Sequence, residues 1–557
     1  MKQDVPTPNQ LAMDEKISAP ETTEKLLVSF NAKHHVIDER SPDHRFDMRR
    51  IIDLLPPTVT DLRTLRAAEI INLYRTVDHT FSRVGATRLF LAMLDPSFSL
   101  DQIQSRQEVI RELSSNKQLY AALQSFLTEF SRNETDLFGF LNAHTDPMIA
   151  YEDYRRAVVA IKSMVTAAKD LPRPVSSYLS ELIDNILRFQ DESLWDILAV
   201  QAYRTFAGIK SHRERSFFTP SWRFRPRHVD FGSLWPSLPA IYFGMAWLFG
   251  IMEPTIAKTL FLSTSWLSAI GLAYGWLLKP LIDFDTAILP IRQMLLESDS
   301  FIKAIESVAL LDELTSLVAF MEEMPHPMVL PTVTDGASHH FMAKGVCNPI
   351  IALKDRNFVA NEVNLANQNI TFITGPNSGG KTTYCKSIVQ NQILAQIGSP
   401  VVATEATINI ADLIIYQAPN FDSLADEEGR FGTELKTTRD IFYQVSPKSL
   451  AILDEIAEGT TTHEKLSFST DIMHCFHAIG NSTLLVTHSY ELVDYFQQMN
   501  KGSFLKISFF DDLPSHKITE GISHDSNAER VAKKIGFSRQ DMLDYLKKKG
   551  YQIEVDW

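Results

Sequence analysis

Residues 375–382 read GPNSGGKT, a glycine-rich turn that ends in lysine and threonine. Gly375, Gly379 and Gly380 let successive backbone N–H groups converge on one point, which suits a chain of phosphates. A helix opening there adds the positive end of its dipole. Lys381 would then reach the β- and γ-phosphates, and the Thr382 hydroxyl would ligate Mg²⁺. Pro376, Asn377, Ser378 and Thr383 complete the predicted nucleotide-binding set. The motif needs a strand before it and a helix after it. NITFIT precedes it here, and a helical run from Lys381 to Ala395 follows. ATP with Mg²⁺ is the predicted ligand.

A second element, SLAILDEIAEGTTTH, is an apolar run that ends in Asp454-Glu455. Asp454 at the end of a strand would hold the Mg²⁺ shell, and Glu455 would polarise the attacking water. His488 follows the apolar run STLLVT, where it would sense the γ-phosphate. A satisfied structural imidazole is the alternative for a lone histidine. The predicted catalytic residues are thus Lys381, Glu455 and His488, and the predicted metal ligands are Thr382 and Asp454.

These residues need strands and helices to position them. After the proline-rich MPHPMVLP, short runs (NITFIT, DLIIYQ, SLAILD, STLLVT) alternate with helical stretches at His463–Ile479 and Tyr490–Met499. That alternation predicts a mostly parallel α/β sheet. From Phe46 to about Lys210 apolar residues recur at three and four, and glycine is scarce, so this part reads as all-α. Helical periodicity returns from about Ala287 to Glu323. Residues 1–45 are polar, carry Pro6, Pro8 and Pro20, and read as a disordered tail.

The 557 residues are 45% hydrophobic and 22% charged, an ordinary globular balance with a formal net charge of -14. That charge argues against coating nucleic acid with the whole surface, though a local basic patch remains compatible with it. Cys347, Cys385 and Cys475 lie far apart without CxxC spacing, which fits buried thiols in a reducing compartment. Met1 to Pro20 has no apolar core of a secretory signal, so the bulk of the chain is expected in the cytosol.

Two apolar runs interrupt the helical part. Phe231–Met252 has no charged side chain, although Pro236 and Pro239 confine its clean part to the second half. Thr259–Leu278 is again uncharged, and Lys279-Pro280 is expected to close it. Twenty residues at 1.5 Å each give about 30 Å, the thickness of a bilayer core. Arg213, Arg215, Arg223, Arg225 and Arg227 precede the pair, and Lys279 follows it. The positive-inside rule then places both ends of a hairpin at 236–278 in the cytoplasm. A helical hairpin buried in a soluble protein is the competing reading. The basic, aromatic stretch 213–230 would hold lipid head groups, or else DNA phosphates with Trp222 and Phe224 stacking on bases.

Taken together, GPNSGGKTTY, AQIGSPVVA, DEIAEGTTTHEKLS and VTHSYEL resemble the ATPase domain of the MutS mismatch-repair family. FVANEVNL resembles that family's adenine-proximal segment, which implies that Phe358 stacks on the base. Thr80, Gly85, Arg88 and Leu89, Asp95-Pro96, RQEVIREL and AIESVALLDELTSLVAF resemble its helical core and lever. The resemblance implies a multidomain protein: an all-α core/lever domain at 46–330, then an α/β P-loop NTPase domain of ABC/MutS type at 331–557. It also implies an ATPase that binds DNA and forms a homodimer through the ATPase domain. The sequence departs from the family in several places. No Phe-x-Glu mismatch wedge or connector domain is expected before the helical core. The signature loop is shortened to GRFGTEL at 429–435, and Ala457 and Glu458 replace the more usual Gly-Arg. DNA structure rather than mismatches is therefore the expected target, with a membrane-attached ATPase of non-DNA partner as the alternative. A transporter-type cassette ATPase is disfavoured, because no LSGGQ-like signature lies between the two nucleotide motifs.

Overall fold

Among the described residues thirteen strands are defined, three in the helical half of the chain and ten beyond residue 331. The computed structural model describes residues 57–142, 150–206, 208–214, 220–227, 235–366, 368–376, 379–418, 429–456, 461–510, 513–523, 532 and 535–551. The tail expected at 1–45 lies outside them. The chain divides into two compact units. Among the described residues the first holds Thr80–Arg88 and Arg111–Thr315, and the second holds 57–79, Leu89–Ile110 and everything from Ser316 onward. The sequence predicts one boundary near residue 330. The division is discontinuous because 57–79 and 89–110 pack against the later residues. Lys386 pairs with Glu69, and the buried Arg106 donates from Nε to the Ile397 carbonyl at 2.6 Å.

In the first unit, helices Lys117–Asn142 and Ala150–Lys169 run antiparallel. Phe140 meets Tyr154 edge-on at 5.9 Å, and Ser163 bonds Glu129 farther along. Leu119, Leu123, Phe126, Phe130 and Leu137 bury one face, at the spacing the sequence showed. The unit is not all-α, however. Strands β1 (Ala202–Thr205), β2 (Gly208–Ser211) and β3 (Ser221–Arg223) form an antiparallel sheet in the order β2-β1-β3. Each strand is only three or four residues long, too short for a two-residue period to stand out from the helical runs before it.

A second correction concerns the apolar runs. They form helix Leu238–Leu248 and the start of a helix that runs on from Pro254 to Glu297. Lys279-Pro280 does not close it. A π-helical turn at Tyr274–Leu278 precedes Pro280, and another at Phe284–Ile288 precedes Pro290. A widened turn relieves the clash of a proline ring with the preceding carbonyls and absorbs the missing N–H, so the helix continues.

The second unit is built on two sheets. The strands β7 (Ile370–Thr374), β9 (Ile414–Gln417), β10 (Leu450–Asp454), β11 (Ser482–Val486), β12 (Ser503–Phe510) and β13 (Leu513–Glu520) make a six-stranded sheet ordered β13-β12-β7-β11-β10-β9. Every neighbour pair is parallel except β12 with β13. A four-stranded sheet, absent from the sequence reading, has the order β4-β8-β5-β6, from Thr332–Thr334, Glu405–Asn409, Phe341–Val346 and Asn361–Asn364. On one face of the larger sheet Phe372, Leu453 and Leu485 pack with Ile441, Phe476 and Phe496 of helices Gly429–Phe442, Thr462–Ile479 and Tyr490–Gln498. Helix Lys381–Gln396 buries nearly its whole length, including Cys385, Ile388 and Ile393.

Candidate nucleotide site

All five residues of β7 are buried, so the strand is a rigid post for the loop that leaves its C-terminal end. Gly380 caps helix Lys381–Gln396 with φ 96°, in the left-handed region that favours glycine. Gly379 is constrained differently: a methyl group there would lie 2.1 Å from Ile507 Cδ1 of β12. The Gly379 N–H donates to the Pro376 carbonyl at 3.1 Å, and Asn377 and Ser378 lie outside the described residues. The loop thus turns tightly into the N-terminus of a four-turn helix, a geometry that suits an anion.

Lys381 is buried, and its Nζ donates to the Gly375 carbonyl. Burial lowers its pKa to about 8, against the pull of the Asp454 and Glu455 carboxylates. Thr382 is exposed, and its Oγ1 donates to Asp454 Oδ2 at 3.4 Å. Burial raises the Asp454 pKa, with Lys381 and the Thr382 hydrogen bond opposing. Bound phosphates would hold Lys381 charged, and a divalent cation would do the same for Asp454. The pair fits Mg²⁺: a hydroxyl and a carboxylate supply protein oxygens, and Mg²⁺ takes its remaining ligands from phosphate and water. Thr383 is half-buried, and its carbonyl accepts from Ser387 Oγ at 2.7 Å.

Glu455 follows β10 with φ 59°, unusual for a residue with a side chain, while its N–H donates to the Val486 carbonyl at 2.9 Å. His488 leaves β11, the strand between β7 and β10. Its Nε2 lies 3.4 Å from Lys381 Nζ and 3.5 Å from Glu455 Oε1. The structure therefore brings Lys381, Thr382, Asp454, Glu455 and His488 together at the C-terminal ends of three adjacent parallel strands, where open α/β sheets bind ligands.

Phe358 is half-buried in the turn before β6, its N–H donating to the Asp355 carbonyl at 3.2 Å. Nearby Asn361 donates to the His516 carbonyl at 3.1 Å and accepts from the Ile518 N–H at 2.7 Å. Lys517 Nζ donates to the Ala360 carbonyl at 2.7 Å. These bonds seat His516 beside the loop: a methyl at Gly380 would lie 3.4 Å from its Nδ1. Its φ of 57° is again the left-handed region. His516 was missed by sequence reasoning, since a lone histidine in DLPSHKITE carries no spacing signal. The segment GRFGTEL begins helix Gly429–Phe442, while Ala457 and Glu458 lie outside the described residues.

A glycine-rich loop after a central parallel strand, an acidic pair two strands away and a histidine between them give this domain an α/β arrangement of the P-loop type. Residues 371–549 match the family model described as MutS domain V, so this portion of the chain is similar to the MutS family. The DNA mismatch repair protein MutS of Shouchella clausii is 31% identical over 218 residues, 38% of this chain and 25% of that protein. MutS of Prochlorococcus marinus (strain MIT 9301) is 32% identical over 262 residues, 45% of this chain and 29% of that protein. The DNA mismatch repair protein msh3 of Aspergillus fumigatus is 29% identical over 273 residues, 46% of this chain and 24% of that protein. The likeness thus spans less than a third of the length of each of these relatives.

Proposed function

We propose that this chain is a MutS-like, DNA-binding ATPase that acts on DNA structure rather than on mismatches. We also infer that it works at the cytoplasmic face of a membrane, attached through residues 236–278. The observation that carries the ATPase reading is the convergence of Lys381, Thr382, Asp454, Glu455 and His488 on the phosphate loop. Lys381 and the loop N–H groups bind the β- and γ-phosphates. Thr382 and Asp454 would hold Mg²⁺, which when bound offsets charge on the phosphate oxygens. Glu455 accepts a hydrogen bond from the attacking water and orients it, and His488 positions the Glu455 carboxylate and faces the γ-phosphate. Phe358 and His516 border the side where the base would lie. A second copy of the ATPase domain would cover the open side of the γ-phosphate, which makes the ATP-bound form a homodimer.

DNA as partner is supported by the relatives, which are named as DNA mismatch repair proteins. The choice of structure over mismatch rests on the sequence, in which no Phe-x-Glu triplet occurs between residues 1 and 45. The net charge of -14 favours a second reading, a membrane-attached ATPase whose partner is not DNA. Titration of the detergent-solubilised chain with matched, singly mismatched and branched DNA separates them, reading binding and ATPase rate together. Binding that falls steeply with salt, with less than a tenfold preference for the mismatch, is expected. A tenfold mismatch preference overturns the choice of target. Absence of binding to all three DNAs at low salt overturns DNA as the partner.

A further inference from the structure

Helix Pro254–Glu297 reverses the pattern of a water-soluble helix. Its large apolar residues face outward: Leu262, Trp266, Ile270, Leu272, Trp276 and Leu278 are all exposed. Two charged residues just past the apolar run, Lys279 and Asp283, turn inward, while Asp285 beyond them is exposed. Lys279 is buried with Nζ donating to the Arg227 carbonyl at 3.0 Å. Asp283 is buried, pairs with Arg204 and accepts the Tyr151 hydroxyl. Only 11% of the helix's apolar window is buried, so it is not a core helix.

Packing within the hairpin is made by small residues. Ala240, Ala246, Ala257, Gly271 and Gly275 are buried, and a methyl at Gly244 would lie 3.2 Å from the Phe261 ring. Small residues between helices with large ones outside is the arrangement of helices packed in lipid. At 100° per residue the exposed large side chains cover about two-thirds of the helix circumference. A protein partner or a second copy would cover one stripe; a surface apolar on so many sides suits a bilayer. The uncharged run Thr259–Leu278 spans about 30 Å, the hydrocarbon thickness. Exposed Glu253 and Lys258 lie at one end of it, and Lys279 and Asp283 at the other.

We propose that helix Pro254–Glu297 spans the bilayer through its uncharged run, with Lys279 and Asp283 at one face and the turn Phe249–Glu253 at the opposite face, while the shorter helix Leu238–Leu248 packs beside it within the bilayer. This rests on the membrane attachment proposed above and adds its topology. The test uses the full chain in bacterial cells, with Ile251→Cys in a Cys475→Ser background, because Cys347 and Cys385 are buried. Membranes are extracted with carbonate, and intact spheroplasts are treated with a membrane-impermeant maleimide. The expected result is a carbonate-resistant pellet and labelling of intact spheroplasts at least fivefold above the Cys475→Ser parent. A resistant pellet labelled only after lysis overturns the spanning topology and leaves attachment standing. A chain that stays monodisperse in detergent-free buffer overturns attachment and the hairpin together.

Discussion

Replacing Gly379 with alanine isolates one contact at the phosphate loop. Gly379 is not among the left-handed glycines, so its backbone suits alanine and the obstacle is Ile507. The added methyl would lie 2.1 Å from Cδ1, 3.0 Å from Cγ2 and 3.1 Å from Cγ1 of that side chain. Ordinary carbon contacts are about 3.5–4.0 Å, so Cδ1 must turn away about χ2, and the loop or β12 must still give by about 0.5 Å at Cγ1 and Cγ2. Ile507 is buried on β12, which is hydrogen-bonded to both β7 and β13, so the loop is the softer partner. Overpacking of this kind costs about 1–3 kcal/mol. If it falls on the nucleotide-competent loop, ATP binding weakens roughly 5- to 150-fold. Ile507→Val removes the atom at 2.1 Å and by itself costs about 0.5–1.5 kcal/mol of stability. Binding of a fluorescent ATP analogue to the four proteins of the double-mutant cycle gives the coupling. The double variant should regain at least half of the loss in binding free energy. Wild-type affinity in Gly379→Ala, or no recovery in the double variant, would refute the reasoning.

Glu455→Gln should still bind ATP but hydrolyse it at least tenfold more slowly, about 1.4 kcal/mol in the barrier, and wild-type turnover would remove Glu455 from its role. In sedimentation with ATP, that slow variant should show the proposed dimer; a monomer at micromolar concentration would count against it. Burial pushes the Lys381 pKa down to about 8, and bound phosphates would raise it. ATP affinity should therefore be level below pH 8 and fall by up to tenfold per pH unit above it, and a flat profile to pH 9.5 would contradict this. In the helical unit, a methyl at Gly85 would lie 2.3 Å from Asp312 Oδ2, a carboxylate that accepts the Phe81 and Ser82 N–H groups at 2.9 and 2.7 Å. Gly85→Ala should lower stability by about 1–3 kcal/mol, readable as a lower melting temperature, and an unchanged melt would refute it.

Much of the second unit is legible in the sequence. GPNSGGKT, LDE and VTH are local: short-range sterics make the loop and dipole, and apolar runs bounded by breakers make the strands. Helices 381–396, 462–479 and 490–498 begin and end within a residue of the expected spans. What tertiary packing decided is different in kind. The order β7-β11-β10 places His488 between Lys381 and Glu455, and no spacing along the chain encodes that order. His516 reaches the loop because Asn361 and Lys517 tie two distant segments together. The assignment of 57–79 and 89–110 to the second unit depends on contacts such as Lys386 with Glu69, more than three hundred residues apart. At Pro280 the local rule ends a helix, yet a widened turn carries it on to Glu297. The apolar composition of 236–278 was plain in the residues themselves. That their large side chains face outward while Lys279 and Asp283 are buried depends on where the rest of the unit lies, which local periodicity does not specify.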